Sequence, residues 1–175
     1  MSGKRDDSPK AAAEPYSPPC QMHEADPAYF GYMTTEEVLG LLNTLLEGER
    51  AGVRAATALR KSAEAQGCTP LIRQVGDGEA WSCAMLDGHI TRLGGKPSHA
   101  VGRFYEKFIA IEGLSERLAF LNRGQEWVIR RLREDLPKIA DERLRADLDE
   151  MLSLHVTNVA ACEDAMRAMR EGGQA

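Results

Sequence analysis

No stretch of the sequence approaches the roughly 18 apolar residues that a bilayer-spanning helix needs, so no membrane segment is expected. The first residues hold no apolar signal core, and a cytoplasmic location is the expectation that follows. Lys and Arg form no basic cluster against a net charge of −5, which argues against nucleic acid as a partner. Cysteine is scarce, with four in the chain, and no two of them share the CxxC spacing of a zinc or redox motif. Strand-like alternation and repeats of fixed length are absent too, which leaves helix as the one regular element to look for.

What is present fits one soluble domain. The 175 residues, 43% hydrophobic and 28% charged, are enough for a substantial core. Residues 1–20 hold four of the eight prolines and almost nothing to bury. Residues 21–33 add Met22, Tyr29, Phe30, Tyr32 and Met33, which could pack against a domain surface. Residues 1–33 are therefore read as a leader, disordered to loosely packed, and 34–171 as the folded domain. Cys20, His23, Glu24 and Asp26 include metal-ligand types, but their setting is that of a polar linker.

From Thr34 the pattern is helical. Thr34 and Glu37 have the spacing of a capping box. Four helices are expected over about 34–66, 70–94, 113–137 and 141–170, ended by "QGCTP", "LGGKP" and "LPKIAD", where Gly or Pro must stop a helix. Two of the connections are short and make antiparallel neighbours. The one between helices 2 and 3, at 98–113, is long enough to run the length of a bundle. The expected fold is an all-α four-helix bundle with one long crossover.

Read at about 100° per residue, each helix shows an apolar stripe interrupted by one central polar residue. Glu49 lies among Leu42, Leu45, Val53 and Ala56, and Glu79 among Val75 and Leu86 with Ser82 and Cys83 beside it. Gln125 lies among Leu121 and Ile129, and His155 among Met151, Val159 and Cys162 with Asn158 at the edge. Cys83 and Cys162 on these faces read as small hydrophobes. Two ionised carboxylates in a core need protons, hydrogen bonds, a cation or a metal. Arg60, read as facing the same core, would pair with Glu79 in a purely structural account. His89 lies about 15 Å along the axis from Glu79, too far to share its site, and His99 falls in the crossover facing solvent.

"LLEGERAG", "GEAWSCAML…RLGGKP" and "MLSLHVTNVAACE" resemble the ferritin-like superfamily, most closely its rubrerythrin-type members, over residues 34–170. The resemblance implies Glu on the first and third helices and Glu-x-x-His on the second and fourth, together holding two iron or manganese ions. Glu49, Glu79 and His155 match three of these positions. Ser82 stands in place of the second-helix His, Leu152 in place of the fourth-helix Glu, and Gln125 is central on the third helix, with Glu126 about 100° to the flank. This implies a reduced, mononuclear Fe or Mn site with metal ligands Glu49, Glu79 and His155. Gln125, Ser82 and Asn158 would surround it, and the chemistry would be oxidation or oxygen-species chemistry of bacterial type on a small-molecule substrate not identifiable from the sequence. The rival is a metal-free bundle serving as a binding or scaffold module, its polar layer fixing helix register. A homodimer is compatible with either.

The 100° between neighbours gives a test. Gln125→Leu is expected to alter the site and Glu126→Ala to leave metal content within error, both read by inductively coupled plasma mass spectrometry. The reverse outcome would mean the third helix is rotated from this assignment.

Overall fold

The structure, a computed structural model, describes residues 31–65 and 67–172. The cluster of Cys20, His23, Glu24 and Asp26 and most of the leader lie outside the described residues. Four long helices, α1 (Thr35–Ala65), α2 (Thr69–Arg92), α4 (Leu114–Asp135) and α5 (Glu142–Gly172), form the bundle. A short helix α3 (Phe104–Ile109) sits within the crossover, which the sequence pattern did not separate from loop. No strand occurs among the described residues.

The helix ends follow local chemistry. At the start of α1 the Glu37 carboxylate accepts from the Thr34 backbone N–H at 2.8 Å, and the Thr34 hydroxyl accepts from the Glu37 N–H at 3.2 Å. This is the reciprocal capping box, in which two otherwise orphaned donors are satisfied. Pro70 opens α2, where its missing N–H costs nothing. Gly94, at φ +78°, closes α2, and the N–H groups of Leu93, Gly94 and Gly95 return to the last carbonyls. Asp141 caps α5 by accepting from the Leu144 N–H at 3.0 Å.

α1 and α2 form one antiparallel hairpin and α4 and α5 the other; α2 packs on α5 and α1 on α4. The crossover is pinned along α1. Asn43 Oδ1 accepts from the Ser98 N–H at 2.7 Å, and Ser98 Oγ donates to Glu47 at 2.6 Å. Phe108 of α3 is fully buried, and Phe104 stacks on Phe120 of α4 with ring centroids 4.7 Å apart. Such a contact is worth roughly 1 kcal/mol beyond its area. The crossover thereby spans the cleft between α1 and α4.

The core is in two parts. One cluster gathers Leu42, Leu45, Leu86, Ile90, Leu132 and Leu148, and the other Leu59, Val75, Phe108, Leu118, Leu121 and Cys162. Along every long helix the residues between them are polar and buried: Glu49, Glu79 and Ser82, Asn122 and Gln125, His155 and Asn158. Of the residues expected inside, Val53, Cys83 and Val159 are only half-buried.

His89 is buried and belongs to a separate network at one end of the bundle. Its Nε2 lies 2.6 Å from Asp147 and its Nδ1 2.9 Å from Arg92, which also pairs with Asp141 at 2.6 Å. A guanidinium can only donate, so Nδ1 accepts and Nε2 carries the proton given to Asp147. These bonds tie the end of α2 to the start of α5. Asp147→Ala would leave a buried N–H without an acceptor and is expected to cost about 1–3 kcal/mol in urea unfolding. The exposed neighbour substitution Asp149→Ala should stay within about 0.5 kcal/mol.

Candidate metal centre

Glu49, Glu79 and His155 arrive from α1, α2 and α5 at the middle of the polar layer. One potential ligand atom from each lies within 4.8 Å of the others. All three side chains are at most 3% exposed. The geometry depends on a heptad-like seam on α1, where Leu42, Leu45, Glu49, Gly52, Ala56, Leu59 and Ala63 are all buried. Gly52, one turn beyond Glu49, faces the Glu79 carboxylate so closely that a Cβ there would overlap its oxygen. A small residue at this point is what admits a carboxylate from the neighbouring helix.

His155 is held in one orientation. Its Nδ1 lies 2.9 Å from the Met151 carbonyl one turn back. A carbonyl only accepts, so Nδ1 bears the proton, and in the neutral ring Nε2 presents a lone pair to the carboxylates. Nε2 is 3.3 Å from Glu49 Oε1 but is not aligned in a hydrogen bond, and Glu49 Oε2 has no partner. A lone pair facing a carboxylate is repulsive unless a proton or a cation lies between them.

The acid–base properties express the same conflict. Burial, the Glu49 charge and a hydrogen bond with Glu49 raise the Glu79 pKa well above 4.5. For His155, burial works to lower the pKa, but the adjacent Glu49 carboxylate and the bond to the Met151 carbonyl outweigh it, and the net shift is upward from 6.5. Cys83 is pushed up to about 12 by burial and then by Glu49 and Glu79. Cys162 is pushed up to about 12 by burial foremost, with Glu79 contributing. Both thiols are therefore protonated at neutral pH in the metal-free protein.

Gln125 is 2% exposed, and neither its Nε2 nor its Oε1 has a partner. With Glu49, Glu79 and His155 it lines a cavity of about 420 Å³ in the cleft between α1 and α4. The outer wall of that cavity is Phe104, Phe120 and Trp127, with Arg103 and Arg123 at the rim. Ser82 and Asn158 are buried in the layer but do not line the cavity; Ser82 Oγ has no partner, while Asn158 accepts from Gln74 at 3.0 Å. Glu126 and Leu152 are half-buried, Leu152 against the first apolar cluster.

Arg60 does not face the core. It is exposed, beside Glu64, Thr69 and Arg73 near the α1–α2 turn. Eleven residues from Glu49 it returns to within about 20° of the same direction on a straight helix, but Leu59 and Ala63 hold the buried seam there, and near the α1–α2 turn the long cationic side chain reaches solvent. Among the described residues no Lys or Arg is paired with Glu79. Asn122 and Gly52 are members of the layer that sequence reasoning missed. For Gly52 the signal was present in the "GERAG" spacing around Glu49.

The donors fit a small divalent ion. Two carboxylates and a neutral imidazole, with two ligand atoms lacking hydrogen-bond partners, form the kind of mixed O/N set that suits Fe(II) or Mn(II).

Residues 36–164 match the family described as Domain of unknown function (DUF6306). Comparison with the curated proteins finds no match. Among solved structures, the chain is similar to a ferritin-like, diiron-carboxylate protein from Bacillus anthracis str. Ames, with a TM-score of 0.66 and 17% identity over 75% of this chain and 96% of that one. That likeness is one of fold, and the fold of this chain is the ferritin-like helical bundle.

Gly52→Ala would ordinarily stabilise a helix interior by about 1 kcal/mol. Here it is expected to displace the Glu79 carboxylate, lower metal content and fail to raise the unfolding midpoint. Mass spectrometry for metals and thermal unfolding check the two halves of that expectation.

Proposed function

We propose that this chain, which belongs to the family described as Domain of unknown function (DUF6306), holds a single Fe(II) or Mn(II) between Glu49, Glu79 and His155 and acts in oxidation or oxygen-species chemistry. The observation that carries this reading is that His155 Nε2, 3.3 Å from Glu49 Oε1, and Glu49 Oε2 are both buried with no hydrogen-bond partner. A cation between these atoms would satisfy both at once. The bound ion would supply redox chemistry at coordination positions that three protein ligands leave open. The rubrerythrin-like resemblance supports iron or manganese. Ser82 and Leu152, in place of two family ligands, favour one ion over two.

The chain's own residues do the rest. Met151 fixes the imidazole tautomer, and Gly52 makes room for Glu79. The cavity gives a small molecule a path to the centre, and Phe104 and Phe120 limit water there. Gln125 offers one donor and one acceptor to whatever enters.

A second reading, a metal-free scaffold, draws on the hydrogen bond between Glu79 and Glu49 and the raised pKa values. A neutral Glu79, an ionised Glu49 and an imidazolium would form a layer with no net charge.

The two readings separate on metal content. Protein purified without chelator is expected to carry close to one Fe or Mn per chain, and Glu79→Gln and His155→Ala much less. Wild-type protein that stays empty after anaerobic reconstitution with Fe(II) or Mn(II) would leave the scaffold. Because Arg60 is outside, Glu79→Gln strands no buried cation, and the metal-free variant should be no less stable than wild type at neutral pH. The pH dependence follows from the signs. Glu79 and His155 both have folded-state pKa values above their unfolded values of 4.5 and 6.5. Each contributes stability that is complete below its unfolded value and lost as pH rises through its folded value. The metal-free protein should lose stability as pH rises through neutrality, and Glu79→Gln should reduce that slope. Metal competes with the same protons, so Mn(II) affinity should rise over the same range.

A further inference from the structure

We infer that the cavity between α1 and α4 binds a small aromatic carboxylate bearing a hydroxyl on the ring carbon opposite its acidic arm, with the ring against Phe120 and Trp127. Three independent features carry this. At the inner end, the Gln125 amide is buried with both its donor and its acceptor unpartnered. Leaving such a group unsatisfied costs about 1–3 kcal/mol, and a hydroxyl, which donates and accepts at once, is its complement.

The wall is aromatic. Phe104 and Phe120 are stacked at 4.7 Å, and Gly124 sits so close to the Phe104 ring that a Cβ there would be 2.8 Å from it. Gly124 thus sets the ring flat against α4, leaving the space beyond it as a slot. Gly48 holds the opposite side open. It lies in the middle of α1, lines the cavity, and a Cβ added there would meet nothing within 4 Å. Glycine in a helix interior costs about 1 kcal/mol relative to alanine, and no internal packing requires it at this position. The space it leaves is ligand space. The outer end is basic: Arg123 lies over the Phe120 ring at 5.0 Å, and neither it nor Arg103 is paired with a carboxylate of the described residues. Glu47, which also lines the cavity, accepts from Ser98 at 2.6 Å.

A ligand with its carboxylate at the arginines and its hydroxyl at Gln125 places the phenolic end beside Glu49, Glu79 and His155. Its role as substrate rests on the metal reading above; its binding is a property of the cavity alone and is tested with and without metal. The probe is 4-hydroxyphenylacetate, followed by Trp127 fluorescence in a Trp81→Phe background, since Trp81 packs on the first apolar cluster. Saturable binding is expected. Phenylacetate, lacking the hydroxyl, and 4-methylphenol, lacking the carboxylate, should each bind about tenfold more weakly. Gly48→Leu, which fills the slot, should abolish binding while metal content and helical circular dichroism stay at wild-type values. The pair Arg103→Gln and Arg123→Gln should weaken the acid about tenfold and leave 4-methylphenol unchanged. Unaltered affinity in Gly48→Leu, or equal affinity for all three probes, would overturn the inference. Metal-loaded protein that binds no probe would overturn it while leaving the metal reading intact. Probe binding by a protein that never takes up metal would sustain the binding site and remove its role as a substrate site.

Discussion

Everything in the middle of this bundle answers to the contact between two buried carboxylates and a buried imidazole nitrogen. An ionised carboxylate in such a place costs several kcal/mol unless compensated, and a second within hydrogen-bonding reach adds repulsion. The protein does not place Arg60 there to cancel the charge. It surrounds the group with two apolar clusters, one toward each end of the bundle, whose packing holds four helices together across an unfavourable layer. The layer in turn sets axial register, because a slip of any helix by one turn would put a polar group into an apolar cluster.

The same layer explains residues that look misplaced on helical grounds. Gly48, Gly52 and Gly124 weaken the helices that contain them. Gly52 makes room for a ligand-type side chain, Gly124 for the ring of Phe104, and Gly48 for empty volume. The crossover joins these local features into a site. Its hydrogen bonds to Asn43 and Glu47 fix its path along α1, and α3 carries Phe104 and Phe108 onto the bundle. Without that path the cleft between α1 and α4 would be an open groove.

The central residues were readable from the sequence because each helix interrupts an apolar stripe with one polar group, and that pattern needs no knowledge of the partner helix. Glu49, Glu79, Gln125 and His155 are all buried in one layer, as their positions implied. Arg60 was misread because a helical wheel gives direction but not depth along the bundle, and near the α1–α2 turn a long cationic side chain reaches solvent even beside a buried seam. The His89–Asp147 pair joins residues 58 apart, and no local pattern distinguishes a charge that will be buried by another helix from one that will be solvated. The aromatic wall of the cavity was hidden for a related reason. Phe104 and Trp127 come together only through the path of the crossover, which Gly and Pro signals bound but do not direct.

The proposed choice of one ion over two can be argued from packing as well as from the ligand count. Leu152, on the turn before His155, lies partly buried against the first apolar cluster. A leucine there withholds the anionic donor that a second divalent ion would need to offset its lost hydration. Ser82 offers only a neutral hydroxyl one turn beyond Glu79. A second cation would therefore share the negative charge of Glu49 and Glu79 with the first and repel it at close range. One ion with two carboxylates, by contrast, leaves a locally neutral centre. Local neutrality is what a buried site needs, and it is the condition under which Gln125 and an apolar wall can shape a ligand cavity without competing charge.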